Sequence, residues 1–173
     1  MNKSLVKQEQ ELQQLKHIER FRELIVEFEK QLLNIPGSYG NPNEAGRNKI
    51  VNKINPLKHT FADGLYIREI FMPKGQIVST GIHKVEHPYF VQKGDISVLT
   101  DEGIKRIKAP YNGITKPGTK RLIYMHEDTV WITVHATNKK DPESVLEDVI
   151  AKDFNDPDIS IENMKKQLKL KNK

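Results

Sequence analysis

The stretch GQIVSTGIHKVEHPYFVQKG, residues 75–94, decides how the rest of the chain is interpreted. It begins and ends on glycine, and His83, Glu86 and His87 lie between two segments with the composition of β-strands. Side chains alternate between the two faces of a strand, so His87 and Tyr89 are expected to share a face, with His83 joining them if its strand continues. The stretch therefore predicts strands that carry histidines into the interior of a β-barrel.

Short strand-like segments separated by turn residues continue on both sides of this stretch. Residues 65–72 lie between Asp-Gly and Pro-Lys-Gly turns, and residues 95–99 and 104–109 flank a Thr-Asp-Glu-Gly hairpin signal. Residues 121–125 and 129–135 are predicted to pair around His-Glu-Asp. About eight short strands with turns at this spacing indicate a jelly roll or small barrel rather than an α/β domain.

The frame of the opening stretch resembles the first motif of the cupin superfamily, G-x5-H-x-H-x3-E-x6-G, from Gly75 through Gly94. Gly81 stands where the motif has its first histidine, His83 holds the second, and His87 occupies the glutamate position. One of the four metal ligands that the family would supply is therefore identical, and another is replaced by a different ligand-capable residue.

A second cupin motif, P-x-G-x2-H, resembles residues 116–121, in which Arg121 replaces the histidine. The resemblance extends over Thr60 to Thr137, and it implies a mainly β, cupin-type jelly-roll barrel. The flanking segments add a long N-terminal helix and short C-terminal helices to this predicted fold. The segments APYNGITKPGTKRLIY and HEDTVWITVHAT also resemble small cupin-like proteins encoded by tailed bacteriophages.

Residues 1–33 are predicted to form an amphipathic helix running from Lys3 to Leu33. Its apolar positions alternate three and four apart: Ile18, Phe21, Ile25, Phe28 and Leu32. Leu5, Leu12 and Leu15 follow a shifted frame, which predicts a break near Leu15 rather than one long coiled coil. This apolar stripe needs another apolar surface to pack against. It is equally compatible with a helix that packs on its own barrel and with a short helix that mediates oligomerisation.

The other segments flank a predicted barrel at residues 59–137. Residues 34–58 are rich in Gly, Pro and Asn, which predicts a connector with one short element at residues 49–54. Residues 138–173 are predicted to form short helices and a basic tail, because Asp141-Pro142-Glu143 supplies an N-cap acid, a proline and a first-turn acid. The terminal lysines favour a solvated tail over a specific anionic contact.

Composition excludes several classes of function. The 173 residues include no cysteine, so disulfides and thiolate chemistry are excluded and any metal must rely on His and carboxylate ligands. No apolar run of about eighteen residues is present, so membrane insertion is not expected. The net charge of +5 comes from dispersed Lys and Arg, which does not indicate nucleic-acid binding. We expect the cytoplasm as the location, meaning the host cytoplasm or the virion for a phage-encoded protein.

The candidate pocket follows from strand parity. If Arg121 points inward, as the histidine of the family motif does, His126 points outward. On the strand 129–135, periodicity separates a polar face from a valine-rich face without determining which one is inward, and we assign the polar face to the pocket. The candidate ligand-binding residues are then the inward polar and aromatic side chains: His83, His87, Tyr89, Arg121, Trp131, Thr133 and His135.

These residues suit two kinds of ligand. His83 and His87 are candidate ligands of a divalent metal, because imidazole binds Zn, Fe, Ni and Cu. Arg121 disfavours a metal, since a permanent cation repels a divalent ion, whereas its planar guanidinium suits a carboxylate or phosphate. Tyr89 or Trp131 is suited to stacking on a ring or sugar face. We therefore expect a small anionic or sugar-like ligand and at most partial occupancy by a divalent metal.

Three functions remain. The favoured one is a small-molecule-binding cupin-like protein, a hypothesis that leans away from an enzyme. The second is a phage virion-associated or assembly protein that uses the barrel as a scaffold, and the third is a metal-dependent cupin enzyme. In each case we expect a homo-oligomer.

Overall fold

The computed structural model describes residues 3–36, 38 and 49–171, with side chains for residues 6–36, 38 and 51–166. The helices within these residues are α1 (Lys3–Leu33), α2 (Lys49–Ile54), α3 (Pro142–Val149) and α4 (Ile161–Lys171). The strands are β1 (Leu57–Ala62), β2 (Leu65–Met72), β3 (Ile77–Ser79), β4 (Ile82–His83), β5 (His87–Lys93), β6 (Asp95–Thr100), β7 (Gly103–Lys108), β8 (Tyr111–Thr115), β9 (Leu122–Met125), β10 (Thr129–Ala136) and β11 (Ile150–Ala151).

Two antiparallel sheets form the barrel. One has five strands in the order β1-β2-β10-β5-β8, and the other has four in the order β3-β9-β6-β7. Their inner faces share one apolar core: Ile70, Met72, Tyr89, Val91, Ile96, Val98, Ile107, Ile123, Met125 and Trp131. The predicted mainly β jelly-roll architecture, with a long N-terminal helix and short C-terminal helices, is confirmed.

The predicted hairpin between residues 121–125 and 129–135 is wrong. β9 pairs with β3 and β6 in the four-stranded sheet, whereas β10 pairs with β2 and β5 in the other sheet. The intervening residues 126–128 therefore carry the chain from one sheet to the other. Strand periodicity misled the prediction because both strands bury alternate side chains in the same core, as the two strands of a hairpin would.

The boundaries of the barrel differ slightly from those expected. β1 begins at Leu57, inside the predicted connector, and β11 pairs with β4 although it follows the predicted barrel. Residues 37 and 39–48 of the connector lie outside the described residues. Residues from both regions that flank the predicted barrel therefore form part of its sheets.

Gly94, the last residue of the opening stretch, occupies a position that only glycine fits. Its φ is +112°, and a Cβ there would lie 2.9 Å from the Thr129 Cα, closer than real Cβ contacts. Glycine alone adopts this backbone conformation at little cost. The motif glycine thus lets β5 turn into β6 directly beneath the start of β10.

Helix α1 is continuous and packs on the barrel of its own chain. Leu15, Arg22 and Ile25 are buried on its inner face, whereas Phe28 from the predicted stripe is 37% exposed. The break expected near Leu15 is therefore wrong, because Leu15 belongs to the buried face instead of ending it. Among the described helices, none has the length and apolar content required to cross a membrane.

The C-terminal segment closes one side of the molecule. In α3, the predicted N-cap Asp141 accepts a hydrogen bond from the Ser144 backbone N–H at 2.8 Å. Val145 and Val149 of α3 pack on Tyr66 of β2. Further along, Lys165 of α4 forms a 3.1 Å ion pair with Glu19 of α1. The side chains of the lysines beyond residue 166 lie outside the described residues, so the solvated tail stays a prediction.

Candidate functional site

A cavity of about 270 Å³ opens at the end of the barrel where the β6–β7 turn lies. Arg121 and Tyr89 line its inner part. Its outer part is formed by the turn residues 100–103, by β7 and β8, and by Lys116 and Thr119. The cavity therefore connects the protein surface with two of the predicted pocket residues.

Arg121 is held firmly on the inner wall of this cavity. Its backbone N–H donates to Thr80 Oγ1 at 3.0 Å, and its carbonyl accepts from the Thr80 N–H at 2.9 Å. Its Nη2 donates to Thr115 Oγ1 at 2.9 Å, and only 5% of the residue is exposed. The guanidinium carbon lies 5.1 Å from the Tyr89 ring centroid and 5.9 Å from that of Trp131. Arg121 is thus a buried cation over an aromatic surface.

That aromatic surface is a stacked pair. The ring centroids of Tyr89 and Trp131 lie 4.5 Å apart with an interplanar angle of 5°. Gly113 lies beside Tyr89 in the β5–β8 register, and a Cβ there would come within 2.8 Å of the Tyr89 ring. The absence of a side chain at Gly113 therefore lets the tyrosine ring lie flat against the sheet.

Arg121 has no carboxylate counter-ion among the described residues. Burial lowers its pKa from the ordinary value, and Tyr89 and the more distant Asp101 and Glu102 partly offset this. An arginine stays protonated at physiological pH even so. A buried guanidinium without a paired anion is costly, which is the condition under which a ligand anion is most favourable.

Three further predicted residues form a separate histidine cluster behind the cavity: His83, His87 and His135. The ring centroids of His83 and His87 are 4.5 Å apart, and those of His87 and His135 are 4.2 Å apart. The three side chains come from β4, β5 and β10, so the cluster joins sequence-distant strands. None of the three lines the 270 Å³ cavity.

The histidine cluster is neutral near physiological pH. Burial is the main cause that lowers the pKa of all three imidazoles, and together with the nearby His87 and Arg68 it brings the pKa of His135 to about 3. The neighbouring Arg121 lowers the pKa of His83 and His87 further. Within the described part of the chain, several buried polar atoms here have no hydrogen-bond partner: His83 Nδ1, His87 Nε2, Thr133 Oγ1 and His135 Nδ1. Such atoms call for water or a polar ligand group.

The cluster does not fit the metal set that the cupin resemblance implies. Neutral imidazoles are suitable ligands, but no group of three or more His, Asp or Glu in the described residues is arranged to hold a metal ion. Gly81 and Arg121 take the places of two family ligands. His83 and His87 therefore stay candidate metal ligands as a prediction only.

The predicted pocket residues all face the barrel interior, but they form two groups. Arg121 and Tyr89 line the cavity and Trp131 stacks on Tyr89, whereas the three histidines form the cluster that does not line it. The polar face of β10 is the inner one, since Trp131, Thr133 and His135 are 4–6% exposed and the alternating Val and Ile are half-buried. Their roles in binding stay predictions.

His126 points away from the interior, as strand parity predicts. Its Nε2 lies 2.8 Å from Ser97 Oγ, and its ring packs edge-on against Tyr124. It therefore contacts neither the cavity nor the histidine cluster.

Sequence reasoning missed two groups of residues around the site. Thr115, which accepts from Arg121, shares strand parity with Gly113 and Tyr111, and that parity was a usable signal. Arg68 of β2 lies opposite Thr133 of β10. It shares strand parity with the buried Tyr66, and that parity was a second usable signal. The acids of the β6–β7 turn and the nearby Lys105 and Lys116 carried no signal, because charged residues at and near turns are usually only solvated.

Comparisons with solved structures find cupin domains among the proteins to which this chain is similar. No protein-family model and no curated protein matches the chain. A cupin_2 domain of an XRE family transcriptional regulator from Enterobacter cloacae is 8% identical with a TM-score of 0.42, covering 50% of this chain and 99% of that one. The cupin domain of Cnp3 from Schizosaccharomyces pombe is 18% identical with a TM-score of 0.40, covering 47% and 64%. A cupin-2 domain protein from Shewanella frigidimarina is 7% identical with a TM-score of 0.40, covering 47% and 79%. Similarities at this level assign no ligand or activity.

Proposed function

We propose that this chain is a small-molecule-binding protein with a cupin-like barrel, whose pocket recognises an anionic, sugar-like ligand through Arg121. The observation that carries the proposal is a buried arginine without a described carboxylate partner, lying at the inner end of an open cavity. The guanidinium offers a planar fork for a carboxylate or phosphoryl group. Tyr89, which lines the cavity beside it and is backed by the stacked Trp131, offers an aromatic ring for contact with a sugar.

The charges at the cavity mouth support an anion at the inner end. Two acids, Asp101 and Glu102, line the mouth. Glu102 forms a 3.0 Å ion pair with Lys116, so its charge is neutralised by that lysine. Lys105 donates to the Tyr111 hydroxyl at 2.7 Å and lies over its ring, which keeps a cation at the opposite wall. The two lysines and two acids offset each other, so Arg121 gives the lined cavity a net positive charge.

Calorimetry with three related compounds tests the proposal. Glucose 1-phosphate should bind most tightly, inorganic phosphate more weakly, and glucose most weakly, because only the first engages both the arginine and the aromatic surface. Arg121→Gln should abolish the advantage of glucose 1-phosphate over glucose. Arg121→Lys should restore only part of it, since a point charge lacks the bidentate fork.

A surface arginine provides the matched control. Arg20→Gln removes the same charge from an exposed position on α1, where Arg20 pairs with Glu23, and it should leave binding unchanged. Equal affinity of the wild type for glucose and glucose 1-phosphate would contradict the proposal. So would an equal loss in both variants, which would reflect net charge rather than the pocket.

An assembly function is the second candidate, and one observation favours it. Helix α1 exposes Leu24, Phe28 and Leu33 although its inner face is already packed on the barrel. Exposed apolar side chains on one helix suit a protein contact, such as a homo-oligomer or a virion component. Light scattering of a Leu24→Ser, Phe28→Ser double variant tests this: a smaller assembly than that of the wild type supports the role, and an identical mass contradicts it.

A further inference from the structure

Helix α1 contacts both loops that border the cavity. On one side, His17 Nε2 lies 2.7 Å from the carbonyl oxygen of Asp101 in the β6–β7 turn. On the other side, Glu29 forms a 2.8 Å ion pair with Lys120, the residue that precedes Arg121. Asp101 and Arg121 both line the cavity. The helix therefore spans the outside of the same walls that the ligand would touch from the inside.

The Glu29–Lys120 pair leads directly to the backbone of Arg121. Lys120 is 8% exposed, and its Nζ also donates to the Thr80 carbonyl at 2.9 Å. Thr80 in turn holds the Arg121 backbone through its N–H and its hydroxyl. A half-buried carboxylate on α1 is thus joined to the pocket arginine through one lysine and one threonine.

Arg22 adds a second contact from α1 to the same loop. Its Nη2 lies 2.6 Å from the place that a Cβ on Gly118 would take, and its Nη1 donates to the Ile159 carbonyl at 2.7 Å. Its guanidinium carbon lies 4.5 Å from the Phe154 ring centroid. Arg22 of α1 therefore packs against Gly118, in the loop that carries Lys120 and Arg121.

We propose that Glu29 is a positioning residue of the Arg121 pocket, acting through Lys120 and Thr80, so that docking of α1 and binding of an anion are coupled. This inference rests on the function proposed above. Without Glu29, Lys120 is a buried cation with no carboxylate, and it has to reorient toward water. That movement releases Thr80 and, with it, the backbone of Arg121.

Coupling of this kind is reciprocal. If α1 docking raises the affinity for an anion, the bound anion must stabilise α1 docking by the same factor. Bound glucose 1-phosphate should therefore slow hydrogen exchange in residues 15–29 of α1 as well as in residues 116–121. A helix that merely packs on the barrel predicts slower exchange in the loop alone.

The test is calorimetry with glucose 1-phosphate on full-length variants, well below their melting transitions. Glu29→Gln should weaken binding by about fivefold or more, the usual lower range of such coupling. Glu29→Asp keeps the charge and should recover part of the affinity. Glu23→Gln lies on the same helix and removes the same charge, but its ion-pair partner is Arg20, so it should bind like the wild type.

The outcomes separate this inference from the proposed function. If the wild type binds glucose 1-phosphate and Glu29→Gln binds it equally well, or if exchange in α1 is unchanged by the ligand, the coupling is refuted and the pocket stands. If Glu29→Gln and Glu23→Gln are weakened alike, the effect is one of net charge and the coupling is also refuted. If the wild type does not bind, the proposed function fails and the coupling fails with it.

Discussion

Replacing Arg121 with methionine should leave the barrel as stable as before, or more stable. The substitution loses a charged hydrogen bond to Thr115, worth about 1.5–3 kcal/mol. It also loses the contacts of the cation with Tyr89 and Trp131, worth about 1–2 kcal/mol together. Two contributions favour the methionine variant. It removes the cost of several kcal/mol for burying a guanidinium without a described counter-ion, and its buried Met side chain contributes about 1.5–3 kcal/mol of stability.

These contributions nearly cancel, so the free energy of unfolding should change by no more than about 2 kcal/mol, with an increase favoured. For a chain of this length that corresponds to a melting shift within roughly 4–8 °C. Thermal and urea unfolding of wild type and Arg121→Met in ligand-free buffer measure it. A loss greater than about 4 kcal/mol would refute the reasoning, because it would mean that the fold itself requires the arginine.

Arg106→Met provides the contrast. Arg106 donates two hydrogen bonds to Asp95, at 2.8 and 2.9 Å, and Asp95 is 5% exposed. Removing this arginine leaves a buried carboxylate short of donors, so the melting temperature should fall. The two substitutions therefore separate an arginine required for binding from one required for folding.

The remaining predictions concern acid stability, the pocket floor and metal. Arg106 is the main cause that lowers the pKa of Asp95 to about 2. The stability that the ionised Asp95 contributes is therefore present above the ordinary carboxyl pKa of about 4 and is lost as the pH falls toward 2. In Asp95→Asn, the free energy of unfolding measured in urea should depend less on pH over that window, and an unchanged pH dependence would contradict this. Gly113→Ala should displace the Tyr89 ring and lower stability by about 1–3 kcal/mol, the usual cost of overpacking, with weaker glucose 1-phosphate binding; wild-type binding would show that the stack is dispensable. Elemental analysis should find divalent metal below one equivalent per chain, whereas a stoichiometric metal lost on substitution of the histidine cluster would move the protein into the enzyme class.

The sequence predicted the architecture well because its signals were local. Turn glycines at Gly75 and Gly94 and period-two alternation in the 65–72 segment are set within a few residues, and they depend little on the partner strand. The pairing of strands is a longer-range property. The segments 121–125 and 129–135 have the local pattern of a hairpin. Their pairing with sequence-distant strands places them in different sheets, and a local pattern does not contain that information.

Helix α1 shows the same limit. Its apolar spacing predicted a helix of the observed length and part of its inner face, including the buried Ile25, but it left out Arg22 and Glu29. Both are placed inward by partners far away in the chain, Ile159 and Lys120. Charged residues with such partners are invisible to any pattern based on hydrophobicity.

For the candidate site, parity was the useful part of the sequence. Once the resemblance put Arg121 inward, parity placed His126 outside, and it put Tyr89 on one face with His87. The inward position of Trp131 came from assigning the polar face of its strand to the pocket. Parity did not separate the cavity from the histidine cluster, because that division depends on side-chain packing across the barrel. Nor did it indicate that a glycine, Gly113, makes room for the tyrosine ring.

A crystal structure of the protein with bound glucose 1-phosphate tests the central claim most directly. We expect density for the phosphoryl group within hydrogen-bond distance of the Arg121 guanidinium, and density for the sugar ring against Tyr89. A ligand bound elsewhere on the molecule, or a cavity that holds only water at a concentration that saturates binding in solution, would contradict it.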